Sequence, residues 1–535
     1  MEKIKVVVDV SKDGNFILKG YVDDREFLFS SKYFPLSEAE KLVDRIEVKN
    51  PTVVVVGAGN PYVIYFLSKR YSDRNIVVLE PFESVFSTLR SHKELSRLIS
   101  SSNVRLELVE SEFKLVEILG EIGYFDLYVH PQYRGLFSFI QDWEKVIKKV
   151  MGNLEINRNT LKRFGNVWVK NLLLSIHSVI KTKGVRKLFG AFGGMDAVVV
   201  GAGPSLDRDI ERLKLLYQSC VVISVDTSWG YLVSNSVIPD IVVTVDPQLR
   251  NFIYILQSKC YGDTIFVCDS MYSAIIYDFV PTQNVFTFDS PLKLWNLVKR
   301  EFGIEKGEVM VGGSVVCSAI DLANRIGCSR VLLFGVDLSF PRKRVYAKGN
   351  FCEVENFISS NVFSPYDGWK LLSRYPLLER ISKSKVRVFT DPRMLTFKEW
   401  MESYVRENGV RLINLSNEGL RIEGEITLED AYVPKNNRDR ITEVKSSLIG
   451  VEEGDRGVGD ASRRFRERVG KIIKVMDEGG IQALVDLLEK DELLKSLIEL
   501  GLQSILLGDY SEEDFLAELR REVEYLRRLQ LFTAF

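Results

Sequence analysis

The chain has 535 residues, 46% of them hydrophobic, with 72 lysines and arginines against 73 aspartates and glutamates. Length gives a prior of roughly three or four domains, and a formal net charge of −1 argues against the basic face that non-specific nucleic-acid binding requires. Apolar runs stay shorter than the roughly 18 residues of a membrane span, the start "MEKIKVVVDVSKDGNF" lacks a signal-peptide core, and six cysteines without a Cys-x-x-Cys pair give neither a zinc spacing nor a disulfide framework. The expected setting is the cytoplasm, with no membrane and no nucleic acid among the partners.

Residues 1–50 predict short strands and then a helix, with "SEAE" (Ser37 to Glu40) at capping-box spacing. "PTVVVVGAGNPYVIYFLSKR" (Pro51 to Arg70) follows as a buried strand, a glycine turn at Gly57 and a helix. "NIVVLEP" is a second strand ending in Glu80, placed where a ribose-binding carboxylate would sit in a dinucleotide fold. The same pattern occurs as a plain structural turn, and both readings stand for Gly57. With the strand "YFDLYVHPQY" this makes an α/β layer over 1–150, and a helical linker is expected over 151–190.

The strand–helix alternation then restarts over 191–430: "AVVVGAGPSLD", "VVISVDTSWGYL", "DIVVTVDPQ", "TIFVCDS", "NVFTFDS", "SRVLLFGVDLSF". Such apolar runs fit a mostly parallel sheet buried on both faces. Two Rossmann-like layers are therefore expected. Residues 431–535 have apolar residues at three- and four-residue spacing between dense charges, which predicts a helical domain for packing, oligomerisation or a protein partner. "EEGDRGVGD" (Glu452 to Asp460) is expected as a linker.

Ligands of an open parallel sheet bind outside the C-terminal ends of its strands. Gly201, Gly203, Pro204 and Ser205 lie at one such end. Pro204 suits a first helical position, and Ser205 is expected to offer a free backbone N–H and a hydroxyl. The third glycine of a dinucleotide fingerprint is Leu206 here, which favours a single phosphate over a dinucleotide. Asp226, Thr227 and Ser228 end the next strand, and Asp246 ends the one after. Gly312, Gly313 and Ser314 open an amphipathic helix, with Ser314 as expected N-cap. Asp337 closes a later strand, with Tyr346 in the loop beyond.

"GAGPSLD", "PDIVVTVDP", "GGSVVCSAIDLANRIGCSRVLLFGVDLSF" and "VYAKG" resemble the motility accessory factor family of flagellin glycosyltransferases, over roughly residues 165–430. The central domain is also similar to bacterial sialyltransferases. The resemblance implies a CMP-activated nonulosonic acid donor, of pseudaminic, legionaminic or sialic type, and serine or threonine hydroxyls of flagellin as acceptor. Carried over, Gly201, Gly203, Pro204 and Ser205 would face the donor phosphate. Asp226 and Asp246, with Thr227 and Ser228 beside them, would hold ribose, base or sugar hydroxyls. Gly312, Gly313 and Ser314 would line the nucleotide, Asp337 would order the site, and Tyr346 would help the phosphate leave.

The chain departs from the sialyltransferase pattern in one respect. Its histidines are His92, His130 and His177, so none follows Tyr346 where that group carries its base. Asp226, Asp246, Asp337, Glu353 and Asp367 are the carboxylates that chemistry allows in its place. The GAGPSLD-type domain is also similar to archaeal enzymes that transfer diphosphate to a hydroxymethylpterin. That relation would call for magnesium on Asp226, Asp246 and Asp337. A non-catalytic flagellin-binding role is the third reading.

Overall fold

The computed structural model describes residues 4–22, 25–256, 261–358, 360–361, 372, 375–427, 435–450, 458–502, 517, 519–521 and 523–526. They form two compact units, Met1–Thr160 and Leu161–Phe535.

In the first unit, β1 (Lys5–Val10), β2 (Phe16–Val22) and β3 (Arg25–Leu28) make an antiparallel meander. The helix after it begins at Pro35, so Ser37 lies inside the helix and the expected capping box does not form. Proline sets the start earlier, because its fixed φ and missing N–H suit the first turn. The N-cap is Phe34, without a side-chain cap bond, and the Ser31 hydroxyl accepts the N–H groups of Tyr33 and Phe34 in the turn just before it. Next come β4 (Thr52–Val56), β5 (Asn75–Glu80), β6 (Val104–Leu108) and β7 (Phe125–Val129), all parallel, in the order β6-β5-β4-β7. This is half of a doubly wound sheet, with its switch point beside the Gly57 turn.

Of the linker expected over 151–190, residues 151–181 are the end of one helix, Phe139–Lys181, and the rest is a short strand and a helical turn. Ile140, Trp143 and Ile147 belong to the core of the first unit, and Val169, Leu172 and Ile176 to that of the second.

The second unit is built on eight parallel strands: β8 (Lys183–Gly184), β9 (Asp196–Val200), β10 (Cys220–Val225), β11 (Ile241–Thr244), β12 (Ile265–Asp269), β13 (Val285–Phe288), β14 (Arg330–Phe334) and β17 (Leu412–Asn414). Their order is β17-β14-β9-β10-β11-β12-β13-β8. The antiparallel pair β15 (Leu378–Ile381) and β16 (Arg387–Thr390) stands apart from it. Alternate residues of the valine-rich strands face opposite layers. Val199, Ile223 and Leu333 pack toward the helix Val315–Arg325, while Val198, Val222 and Leu332 pack toward the helix Leu206–Leu216. Both faces are covered, which is why these strands read as unbroken apolar runs.

The C-terminal helices are Arg438–Gly450, Val458–Lys490 and Glu492–Gly501. Of the expected linker, 452–457 lie outside the described residues and the rest is helical. Phe465, Val469, Leu494 and Leu497 share a core with Trp295 and Val298. Among the described residues no helix is long and apolar enough to cross a membrane.

Candidate active site at the strand ends

β9 lies between β10 and β14, so the chain reverses its order of strand addition there, and the crevice outside β9 and β14 is the topological switch point. Two turns meet in it. Gly201 N–H donates to Phe334 O (2.8 Å), and Gly203 N–H donates to Gly335 O (2.9 Å). A Cβ on Gly203 would lie 2.7 Å from Gly335 O and collide with Asp337 Oδ2. The glycines are thus required by the contact between the two turns, a demand distinct from the approach of a ligand.

The same contact corrects the expectation for Ser205. Its backbone N–H donates to Asp337 Oδ2 (3.0 Å), and its hydroxyl shares a hydrogen bond with that of Ser416 (2.9 Å). Neither group is free, because the buried carboxylate of Asp337 draws in the nearest donor. Pro204, with Ser205, is buried in this turn, and the helix begins at Leu206. Asp337 Oδ1 has no hydrogen-bond partner, and burial pushes the carboxyl up to about 6. Leu338, next in the chain, holds φ +52°, a left-handed conformation costly for a branched residue. Thr390 Oγ1 donates to its carbonyl (2.8 Å), and Phe340 N–H donates to Phe389 O (2.7 Å).

Asp226 is the first residue of the helix Asp226–Ser234 and is nearly inaccessible. Its oxygens accept Thr227 N–H (2.7 Å) and Thr244 Oγ1–H (2.7 Å). Burial pushes it up to about 6, and the charge of Asp246 pushes the same way. Asp246 is half-buried and accepts from Gln248 through backbone and side chain. Ser228 Oγ donates to Val200 O (2.8 Å), which ties β9 to the next helix. Thr227 O accepts Asn350 Nδ2–H (2.6 Å).

That last bond belongs to a clamp. Ala347 N–H donates to Ala202 O (2.9 Å). Arg344 pairs with Asp207 (2.7 Å) and Glu353 (3.2 Å). The loop thereby lies over the Gly201–Ser205 turn and brings Tyr346 within electrostatic reach of Asp226. Burial, reinforced by the neighbouring Cys352, raises the Tyr346 hydroxyl far above its ordinary value, so it remains a proton donor. Cys352 Sγ lies 2.9 Å from Tyr254 Oη. Glu353 is engaged by Arg344 and Gly349 N–H, and Asp367 lies outside the described residues.

The helix Val315–Arg325 has its C-terminal end at the entry of β9, where Gly190 and Phe192 N–H donate to Arg325 and Ile326 carbonyls. Its N-terminus therefore points to the strand C-termini, and Gly312–Ser314 come to the same edge. Ser314 is the N-cap by position but makes no side-chain cap bond. A Cβ on Gly312 would lie 2.5 Å from the Trp400 ring, and Gly313 holds φ +80°.

The site contains groups beyond those singled out from the sequence. Tyr272 is buried beside Thr244 and near Asp226. Asp269 ends β12, accepts Met271 N–H and is pushed up to about 7 by burial. Asn171 donates to Pro247 O (2.9 Å) and Met271 O (3.3 Å), propping two of the loops from the long helix. Arg393 supplies positive charge near Tyr346. Only Asp269 had a legible signal, as an acid closing an apolar run. Among the described residues no three carboxylate, histidine or cysteine groups form a cation-holding cluster. Asp226 and Asp246 are neighbours, whereas Asp337 faces Ser205, so the three carboxylates that the diphosphokinase relation would call for are not gathered at one point.

The other glycine turn is filled by the chain itself. Glu80 is wholly buried and accepts Ala58 N–H (2.7 Å), Phe82 N–H (2.8 Å) and Tyr133 Oη–H (2.6 Å). Burial raises it to about 7. The Tyr133 ring lies 2.5 Å from where a Cβ on Gly57 would be, and Phe29 packs on Gly59. Of the two readings of Gly57, the geometry supports the structural turn.

The profile of the 6-hydroxymethylpterin diphosphokinase MptE-like family matches residues 170–343. An uncharacterized protein of Treponema pallidum (strain Nichols) is 22% identical over 193 residues, 35% of this chain and 66% of that protein. A second from the same organism is 30% identical over 90 residues, 17% of this chain and 41% of that protein. The chain thus spans less than two thirds of either relative. A solved Maf glycosyltransferase from Magnetospirillum magneticum AMB-1 aligns with 98% of this chain and 91% of its own, at a TM-score of 0.63 and 15% identity. The fold is that of a Maf glycosyltransferase. Both α/β layers and the helical C-terminal region are included in that likeness.

Proposed function

We propose that this chain is a glycosyltransferase that moves a nonulosonic acid from a CMP-activated donor to serine or threonine hydroxyls of flagellin. The observation that carries the reading is the extent of the shared fold, 98% of the chain, where the diphosphokinase-like profile reaches 170–343. In this reaction the acceptor oxygen bonds to the anomeric carbon of the sugar as the bond from that carbon to the phosphate oxygen breaks. CMP departs with the electron pair. Asp226 takes the acceptor proton, since a carboxyl near 6 is mostly ionised at neutral pH and still basic enough to accept. Tyr346, held protonated, donates a hydrogen bond to the departing phosphate. Asp337 acts through Ser205 as a positioning residue, and Gly312–Ser314 line the nucleotide.

The test is intact-mass analysis of flagellin incubated with the protein and CMP-pseudaminic or CMP-legionaminic acid. A mass gain of one sugar with CMP release is expected. Asp226→Asn should lower the rate by about 10²–10⁴-fold, the usual worth of a general base. No transfer from any CMP-sugar, under conditions where a related transferase works, would sink the reading. The profile match favours a second reading, diphosphate transfer, which predicts magnesium-dependent AMP release from ATP and a hydroxymethylpterin.

A further inference from the structure

We propose that a second anion-binding site lies at the opposite edge of the central sheet, and that it takes a phosphate-bearing small molecule. The inference does not depend on the function proposed above.

Tyr217 precedes β10, Asp240 immediately precedes β11, and Thr264 immediately precedes β12, so this is the N-terminal edge of the strands. A cavity of about 500 Å³ opens there, its lining including Tyr217, Thr264, Arg438, Thr442, Lys445 and the exposed Asp263. Arg438, Thr442 and Lys445 come from the helix Arg438–Gly450.

The charges behind the cavity do not balance. Asp240 is fully buried; its Oδ2 accepts Val222 N–H (2.9 Å). Its Oδ1 meets both Arg438 Nη2 (2.6 Å) and Lys445 Nζ (3.0 Å). One carboxylate thus serves two cations whose side chains are 15% and 10% exposed. Arg438 spends one further N–H on Tyr217 O (2.9 Å) and stacks on the Tyr217 ring at 4.4 Å. A guanidinium has five N–H donors and an ammonium three, so both keep donors in reserve, and a partly desolvated cation is costly unless its donors and charge are met. Asp263 also lines the cavity, but it is exposed, and solvent screens its charge more than that of the two half-desolvated cations.

A planar fork beside a point charge is a donor set suited to phosphate oxygens. The volume exceeds what an inorganic anion needs and falls in the range of small-molecule sites. An occupant would bridge the helix Arg438–Gly450 to the corners that open β11 and β12.

The experiment is isothermal titration of the whole chain with inorganic pyrophosphate, ATP and glucose 6-phosphate. Two variants accompany it. Thr442→Glu places a carboxylate at the exposed mouth without touching the buried pairs, and Lys445→Met leaves Arg438 paired with Asp240. Saturable binding of pyrophosphate, weakened at least tenfold in both variants, is the expected result. Tighter binding of ATP or of glucose 6-phosphate than of pyrophosphate would support the site and name its organic part. No saturable binding of the three probes, or an affinity unaltered by Thr442→Glu, would overturn the proposal.

Discussion

Gly203 has its α-carbon pressed against the end of β14, where a methyl group would collide with Asp337 Oδ2 and approach Gly335 O to 2.7 Å. The backbone on one side and a buried carboxylate on the other leave no flexible side chain to give way. Gly203→Ala should therefore cost about 1–3 kcal/mol, the usual range for an overpacked interior. Gly120 supplies the contrast. It lies in the helix Glu112–Ile122, where an added methyl group would meet nothing within 4 Å, and Gly120→Ala should gain about 0.5–1 kcal/mol. Urea denaturation midpoints decide both, and equal effects would contradict the argument. The glycines of "GAGPS" were legible in the sequence, but their partner was not. Nothing local ties Gly203 to Gly335 or Ser205 to Asp337, because strand order is set by tertiary packing.

The loop from Arg344 to Asn350 carries the second prediction. Asn350 is fully buried; its amide donates to Thr227 O and its carbonyl oxygen accepts Cys352 N–H (3.0 Å). Asn350→Ala strands both partners, at about 1–3 kcal/mol for a buried group left unsatisfied. The proposed reaction adds a consequence: the loop that carries Tyr346 loses its tie to Thr227, and kcat for sugar transfer should fall more than KM for the donor changes. A loss of stability with unaltered kcat would reduce the loop to a structural strap. At this scale the sequence was informative wherever a segment carried its own reason. Each apolar run bounded by glycine or an acid became a strand, and the three-to-four periodicity after residue 431 became helices among the described residues. The clamp loop had no such pattern. Arg344, Asn350 and Cys352 matter through Asp207, Thr227 and Tyr254, which are distant in the chain. The "SEAE" capping box failed for the opposite reason: the local pattern was real, and Pro35 preempted it.

Across the molecule, Glu80, Asp226, Asp269 and Asp337 are all raised by burial, to about 7, 6, 7 and 6. In the unfolded chain such carboxyls titrate near 4. Between that value and the folded one the native state keeps a proton that the unfolded state has released, so stability falls as pH rises, by about 1.4 kcal/mol per pH unit for each group. The contribution is complete below the unfolded value and gone above the folded one. His130 opposes this, since burial lowers it to about 4; its contribution is present above the ordinary histidine value and lost as pH falls through the folded one. Four groups against one predict a melting temperature that declines from pH 5.5 to 7.5 at constant ionic strength. Asp226→Asn and Asp269→Asn should each flatten the decline, and a melting temperature that climbs over that range would contradict it. Asp226 links this slope to the proposed chemistry. The ionisation that makes it a base is the one that costs stability, so transfer should rise through pH 6 while the melting temperature falls. The folded state tolerates the charge because Thr227 and Thr244 each give it a hydrogen bond. Thr244→Val should raise the Asp226 carboxyl further, and the rise in transfer rate should then move to higher pH by the same interval.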